Sequence, residues 1–449
     1  MIRNASAIRN VRLDALRGIA VLLVMLHHAA PETVPGSGVV GVMLFFALSG
    51  HLITGLLLAE IDATGRIRFA EFYRRRAVRL LPALLLAAAG IAAVTLTLDP
   101  LHDRNVLGRT LAVTLTYTTD LPFAHGSAAI FHLWTLAVEQ QFYLLWPPAL
   151  LWAWRRGRAT ALVIGSIVLL AVAGAAITLH LGAAFDHAYT WPTSWSTGLL
   201  CGAAARLYAH HGKPGGPLAR RIAGCRAAAP WALLLLLAAG LVPWRSSALT
   251  YPAGALALAA LSTLLVAGWA ATTAPTGRAL DNLARLGAIS YAAYLWNYPL
   301  TLWLRAWNPT TGPLLAALFT LLVAVASRHL VEQPATRRWN KPSAPRIRAA
   351  GAVPLTRGGR HRLRHRLPMG STGSPSDDAG GGEPDADADR SCERMVGMGR
   401  TGGVVCEVGR HVARAQVSGG GGSEHSLAAQ CERQTGDDDT RVHRAHETG

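Results

Sequence analysis

Apolar residues run along this chain in blocks of about twenty, separated by short clusters of arginine. A helix of that length spans the roughly 30 Å hydrocarbon layer of a bilayer at about 1.5 Å per residue. Ten blocks are legible, near residues 13–30, 38–60, 79–98, 132–153, 159–181, 192–208, 229–244, 251–271, 287–306 and 312–331. The pattern predicts an all-α polytopic membrane protein, a bundle of about ten transmembrane helices. A shorter apolar stretch, 105–118, decides the topology. Counted as a crossing, it would separate Arg155-Arg156-Gly157-Arg158 and Arg220-Arg221 from the other basic loops. Left out, it leaves every basic loop on one side, from Arg3 to Arg12 through to Arg337 to Arg348. Basic residues concentrate on the cytoplasmic side of bacterial and eukaryotic membrane proteins. The expected arrangement is therefore a multi-pass protein of the inner (plasma) membrane with both termini cytoplasmic. Residues 105–118 then form a short outer-surface or re-entrant helix, allowed where protein or water buries its backbone. The first block carries Asp14 and Arg17 and lacks a small-residue cleavage site, so it is expected to be a retained span.

Beyond about residue 340 the apolar blocks stop. Residues 341–449 are rich in Gly, Arg, Asp and Ser, as in Gly380-Gly381-Gly382 and Gly419-Gly420-Gly421-Gly422. Too little apolar surface is present there to offset the entropy of ordering. Two regions are expected: a membrane domain over 1–340 and a disordered low-complexity cytoplasmic tail over 341–449.

Composition fits that picture and narrows the chemistry. Of 449 residues, 51% are hydrophobic, and the formal charge is +17. That charge sits in loops between apolar blocks, so it reads as a topology signal and not as a nucleic-acid surface. Cys201, Cys225, Cys392, Cys406 and Cys431 are scattered without a CxxC or Cys/His spacing, so no metal site is expected.

Ionisable groups inside the apolar blocks stand out, because each costs roughly 2.5–3.5 kcal/mol at mid-helix. Arg17 and His28 are eleven residues apart in the first block. That is about three helical turns, so they share a face about 16 Å apart along the axis. The plain alternative is a satisfied polar pair with Asp14 neutralising Arg17 at i,i+3. The functional reading makes His28 a general base, since imidazole titrates near neutrality. His27 points about 100° away and is secondary. Arg76 and Arg79, in the run Arg74-Arg75-Arg76-Ala77-Val78-Arg79, face one way at the start of a helix. Guanidinium forks match phosphate oxygens, so the pair can clamp a nucleotide-phosphate donor as well as set topology. Glu139 lies inside the fourth block, where it could orient His28 or remain a structural carboxylate. Ser49-Gly50 reads as a small-residue packing site, with no base near Ser49 in sequence. Pro299 frees carbonyls that Asn297 could bond.

These segments together resemble the acyltransferase-3 family of integral membrane O-acyltransferases. Arg17 and His28 match its N-terminal Arg/His signature, and Phe45-Phe46-Ala47-Leu48-Ser49-Gly50 its FF-x-LSG stretch. Arg76-x-x-Arg79 before Pro82 is similar to its cytoplasmic arginine pair. The run from His132 to Trp146 is similar to its Trp-Ser-Leu-x-Val-Glu segment, with Thr135 where Ser is usual. Tyr294-Leu295-Trp296 and Val331-Glu332-Gln333-Pro334 resemble its closing elements. The likeness spans residues 12 to about 340. Three departures are visible: Asn297 stands where a His is frequent, Gln140 where a second Glu is, and His51 where an aromatic is. The tail has no Gly-Asp-Ser motif, so an appended esterase-type domain is not expected.

The resemblance implies acyl transfer from acyl-CoA, with acetyl-CoA the expected donor, to a hydroxyl on a glycan, lipid-linked sugar or natural product. Arg76 and Arg79 would hold the CoA phosphates, and Arg17 would line the route. His28 would take the acceptor proton, supported by Glu139. The other classes are a transporter or flippase using the same polar path and a non-catalytic membrane sensor. Paired broken helices in inverted repeats, which would favour transport, are not evident.

Overall fold

The computed structural model describes residues 10–121, 126–211, 217–272 and 275–340, with four two-residue strands further on. The chain divides into Met1–Ala350 and Gly351–Gly449. All regular structure described in the first unit is helical. The helices are α1 (Val11–Ala29), α2 (Ser37–Thr64), α3 (Phe69–Thr97), α4 (Leu107–Thr116), α5 (Trp134–Arg155), α6 (Ala159–Leu181) and α7 (Pro192–Trp195). They continue with α8 (Thr197–His210), α9 (Pro217–Ala239), α10 (Gly254–Ala270), α11 (Arg278–Trp307), α12 (Gly312–Ser327) and α13 (Gln333–Asn340). In the second unit, Gly397–Met398 pairs antiparallel with Val404–Val405, and Glu407–Val408 with His411–Val412. The rest of the expected disordered tail lies outside the described residues.

Each of the ten apolar blocks is helical, although boundaries move and the sixth is divided between α7 and α8. The ninth block begins nine residues early, because α11 starts at Arg278. The seventh ends at Ala239 instead of 244. Among the described residues, four helices are long and apolar enough to cross a membrane: α2, α3, α6 and the continuous run Gly312–Trp339. The ten residues of α4 rise only about 15 Å, half a hydrocarbon layer. Helix α6 has a mean hydropathy of 2.6, yet only 17% of its apolar window is buried by protein. Leu169, Val172 and Leu179 on it are more than half exposed. An apolar face of that size is stable only against lipid or another apolar partner.

Local chemistry sets the helix ends. The Asn10 side chain caps α1 by accepting from the backbone N–H groups of Arg12 and Leu13. Gly65, at φ 67°, ends α2 in the left-handed conformation that glycine adopts without strain. At the other end of α1, the Arg305 guanidinium of α11 donates to the His28 carbonyl at 2.6 Å, placing a cation on a helix C-terminus.

Two backbone crossings hold the bundle around the site. A Cβ at Gly18 of α1 would run into the Leu283 carbonyl of α11, and one at Gly287 into the Asp14 carbonyl. A Cβ at Gly50 of α2 would run into the Leu199 carbonyl of α8, and one at Gly202 into that of Ala47. Small residues thus let these backbones touch, as expected for Ser49-Gly50. Gly50→Val should destabilise the protein by about 1–3 kcal/mol or more through overpacking. Thermal melting in detergent checks this; an unchanged Tm would mean that α8 yields easily.

Candidate active site

Two cavities are lined by the expected residues. One, of about 80 Å³, is bounded by Arg17 of α1, Ser49 of α2, Arg76 and Arg79 of α3, Glu139 and Tyr143 of α5, and Tyr291 of α11. The other, of about 560 Å³, is bounded by His27 and His28 of α1, His132, Tyr189, Arg245 and Tyr298. Val42, Thr135 and Tyr294 line both. The shared wall is pinned by hydrogen bonds. Thr135 Oγ1 and the Tyr294 hydroxyl lie 2.6 Å apart, and that hydroxyl donates to the His132 carbonyl at 2.9 Å.

Helix α1 connects the two cavities. Arg17 reaches the smaller and His28 the larger, as their shared helix face requires. Asp14 sits 3.7 Å from the Arg17 guanidinium, so the i,i+3 pairing and the cavity role coexist. The Arg76 guanidinium lies over the Tyr143 ring, 5.0 Å from its centroid. A cation on an aromatic face gains electrostatically and keeps its outer N–H groups for other partners.

The hydrogen-bond chain at His28 fixes its tautomer. The Thr320 hydroxyl donates to the Ala316 carbonyl at 2.6 Å. Its oxygen therefore accepts from Asn297 Nδ2, 3.3 Å away. The Asn297 amide oxygen then faces His28 Nδ1 at 2.6 Å. That oxygen can only accept, so Nδ1 carries the proton and Nε2 keeps its lone pair. A buried amide thus orients the ring as a carboxylate does in metal and triad sites. The Tyr298 ring packs against the imidazole at 4.8 Å.

Glu139 lies elsewhere than the sequence suggested. Its Oε1 accepts from the Ser49 hydroxyl and from the Tyr143 hydroxyl. It therefore belongs to the arginine-lined cavity, across the Thr135–Tyr294 wall from His28. Thr135 is one helical turn before Glu139 on the same face of α5, so α5 supplies both the wall and the carboxylate behind it on the arginine side.

The profile of the Acyltransferase domain family matches residues 10–327. The chain belongs to that family. The matched region contains Arg17, His28, Arg76, Arg79 and Glu139. Among curated proteins, the chain is 37% identical over 144 residues to a Staphylococcus aureus (strain COL) protein named "Putative O-acetyltransferase". It is 35% identical over 143 residues to O-acetyltransferase OatA of S. aureus strain NCTC 8325. Each alignment covers 30% of this chain and 24% of the relative. The chain thus spans about a quarter of the length of the curated relatives it matches. No solved structure matches it.

The arrangement sets two arginines, a buried carboxylate and a histidine around two cavities that share a wall. Among the described residues, no group of three or more His, Cys, Asp or Glu could hold a metal ion. Sequence reasoning missed Arg245, and it named Tyr143, Tyr294 and Tyr298 only within motifs, without a place in a cavity. It also left Asn297 without a role at His28. Only the spacing of Glu139 and Tyr143, one turn apart at i,i+4, carried a signal that could have linked two of them.

Proposed function

We propose that this protein is a multi-pass membrane O-acetyltransferase that moves an acetyl group from acetyl-CoA to a hydroxyl of a carbohydrate or natural-product acceptor. The observation that carries this reading is the pair of cavities meeting at one wall, arginines on one side and a tautomerically fixed histidine on the other. With the positive-inside topology, the arginine cavity opens to the cytoplasm, where acetyl-CoA is made, and the His28 cavity opens outward. The smaller cavity has room for an acetyl group and a few waters but not for a nucleotide. The CoA phosphates therefore rest at its mouth on Arg76 and Arg79, with the thioester pointing toward Arg17 and the wall. The acceptor hydroxyl sits in the larger cavity and gives its proton to His28 Nε2 as its oxygen attacks the acetyl carbonyl. Arg17 is placed on the donor side to stabilise negative charge that develops there. CoA leaves to the cytoplasm. Purified protein with acetyl-CoA and a panel of glycan and natural-product hydroxyls tests the whole reading. Acceptor-dependent CoA release supports it, and transport of an acceptor without acylation overturns it.

The wall also sets acyl length. Tyr294 is 6% exposed and lines both cavities. Tyr294→Ala should raise the use of butyryl-CoA relative to acetyl-CoA by about tenfold or more, since each methylene is worth about 1–3 kcal/mol in a fitted pocket. Competition between the two donors measures this. An unchanged ratio places the length filter elsewhere.

A second reading has its own observation. In it, Glu139, which accepts a hydrogen bond from the Ser49 hydroxyl, is the base that the sequence neighbours of Ser49 lack. In a relay, Ser49 Oγ attacks the thioester, Glu139 takes the proton, the thiolate leaves, and the acetyl-serine then faces the wall. Ser49→Ala separates the two mechanisms. Direct transfer predicts that the variant stays active. A relay predicts that it is dead, and that His28→Ala accumulates acetyl on Ser49, visible by peptide mass spectrometry.

A further inference from the structure

A third cavity, of about 730 Å³, lies away from the proposed transfer path, between α6, α8, α9 and α10. Its walls are mostly apolar, built from residues such as Val163, Ile164, Ala260 and Leu264. Its volume falls within the range of about 300–1,000 Å³ seen for small-molecule sites. One corner is polar. His51 of α2 reaches it, is 6% exposed, and its Nδ1 has no hydrogen-bond partner among the described residues. Arg206 of α8 lines the same corner, with no hydrogen bond or ion pair among the described residues. Thr263 Oγ1 of α10 also lines the cavity, buried and without a partner there. A buried donor left unmatched costs roughly 1–3 kcal/mol.

The fold makes room for that corner. A side chain at Gly55 of α2 would meet Arg206 Nε at 2.7 Å, so the glycine leaves a notch in which the guanidinium sits. The acidic residues at this end of α2 are already engaged. Glu60 pairs with Arg68 at 3.0 Å and Asp62 with His210 at 3.5 Å. Helices α2 and α8 run in the same direction, since Ala47 meets Gly202 and Gly55 meets Arg206. The cationic corner therefore lies toward the end of the bundle from which the arginine-rich start of α3 departs.

We infer that this cavity binds an anionic phospholipid of the leaflet at that end, with its phosphate on Arg206 and His51 and one acyl chain in the apolar cleft. Charge complementarity selects the occupant. A cation without a counter-charge calls for an anion, and the His51 ring in the tautomer that protonates Nδ1 donates to one. The apolar walls call for a chain attached to it. Basic pockets between transmembrane helices recognise lipid headgroups in this way. A neutral zwitterionic lipid would leave net positive charge at Arg206.

Native mass spectrometry of the detergent-purified full chain, titrated with phosphatidylglycerol and with phosphatidylcholine, tests the inference. Wild type should retain one phosphatidylglycerol about tenfold more tightly than phosphatidylcholine. Arg206→Gln should erase that preference, and His51→Phe should weaken it while keeping the space filled. Ala260→Phe should lower retention of both lipids by narrowing the cleft without touching the charge. Thermal melting confirms that each variant folds, and Ala260→Phe and His51→Phe carry the test if Arg206→Gln does not. Equal retention of the two lipids by wild type would overturn the inference, as would unchanged preference in folded Arg206→Gln and His51→Phe. Displacement of the signal by millimolar inorganic phosphate would identify a free-anion site and equally overturn it.

Discussion

Replacing His28 with alanine should lower acetyl transfer by about 10²–10⁴-fold, the usual contribution of a positioned general base, while the protein remains folded. The side chain is half-buried at the end of α1 and its ring bonds a single residue, Asn297. Its loss therefore removes little packing. The backbone carbonyl of residue 28 keeps its bond from Arg305 in the variant, so the helix end stays capped. Acetyl-CoA binding should be nearly unchanged, because the arginines that would hold the donor line the other cavity. The measurement is CoA release with acceptor present, wild type beside variant, together with a melting curve. Near-normal turnover in folded His28→Ala would sink the base assignment. Asn297→Leu offers a graded companion. It leaves His28 in place but frees its tautomer, so kcat should fall less than in His28→Ala and the pH profile should change. A purely structural role for Asn297 would lower the yield of folded protein without altering that profile.

The double substitution Arg76→Gln, Arg79→Gln should raise the KM for acetyl-CoA by about ten- to hundredfold, with a smaller change in kcat. The net loss of one hydrogen bond to a charged group, about 1.5–3 kcal/mol, sets that range, because each Gln keeps an amide donor at its position. Both residues line the smaller cavity. Arg79 is exposed and Arg76 half-buried beneath its stacking contact with Tyr143. The two should then differ: Arg79→Gln alone affects donor binding, whereas Arg76→Gln also disturbs the Tyr143–Glu139 pair. Initial rates against acetyl-CoA concentration decide the matter. An unchanged KM would count against the clamp and leave the arginines as topology signals. Salt gives an independent check, since a phosphate held by exposed cations weakens as ionic strength rises.

Much of the molecule was legible in the chain. The helical blocks follow from apolar runs, because in a bilayer only internally hydrogen-bonded segments are stable, so composition alone specifies helix. Arg17 and His28 could be placed on one face because helical periodicity is a local property. Gly50 could be read as a contact point, since only a residue without a Cβ permits backbones to touch. The arginine pair and the Glu139 segment were recognisable as motifs for the same reason: each is a short stretch on one helix. Where the blocks were misjudged, as at the start of α11, the cause was charge. Arg278, Asp281 and Arg285 end the apolar run but do not end the helix.

What the sequence by itself determined was the set of helices, the polar residues along each, and membership of a family whose motifs lie in order along the chain. Only the tertiary structure decided which polar residues meet. His28 and Asn297 are 269 residues apart in sequence, and Ser49 and Glu139 are 90 apart. No local period links such pairs; their contact depends on which helices cross and how each is rotated. A rotation of one residue, about 100°, moves a side chain from one cavity to another or out to lipid. Sequence could therefore name Glu139 as a candidate but not give it Ser49 in place of His28. Likewise, it could show His51 as an oddity but not join it to Arg206. The wall of Thr135 and Tyr294 that divides one cavity from the other exists only because α5 and α11 are packed where they are.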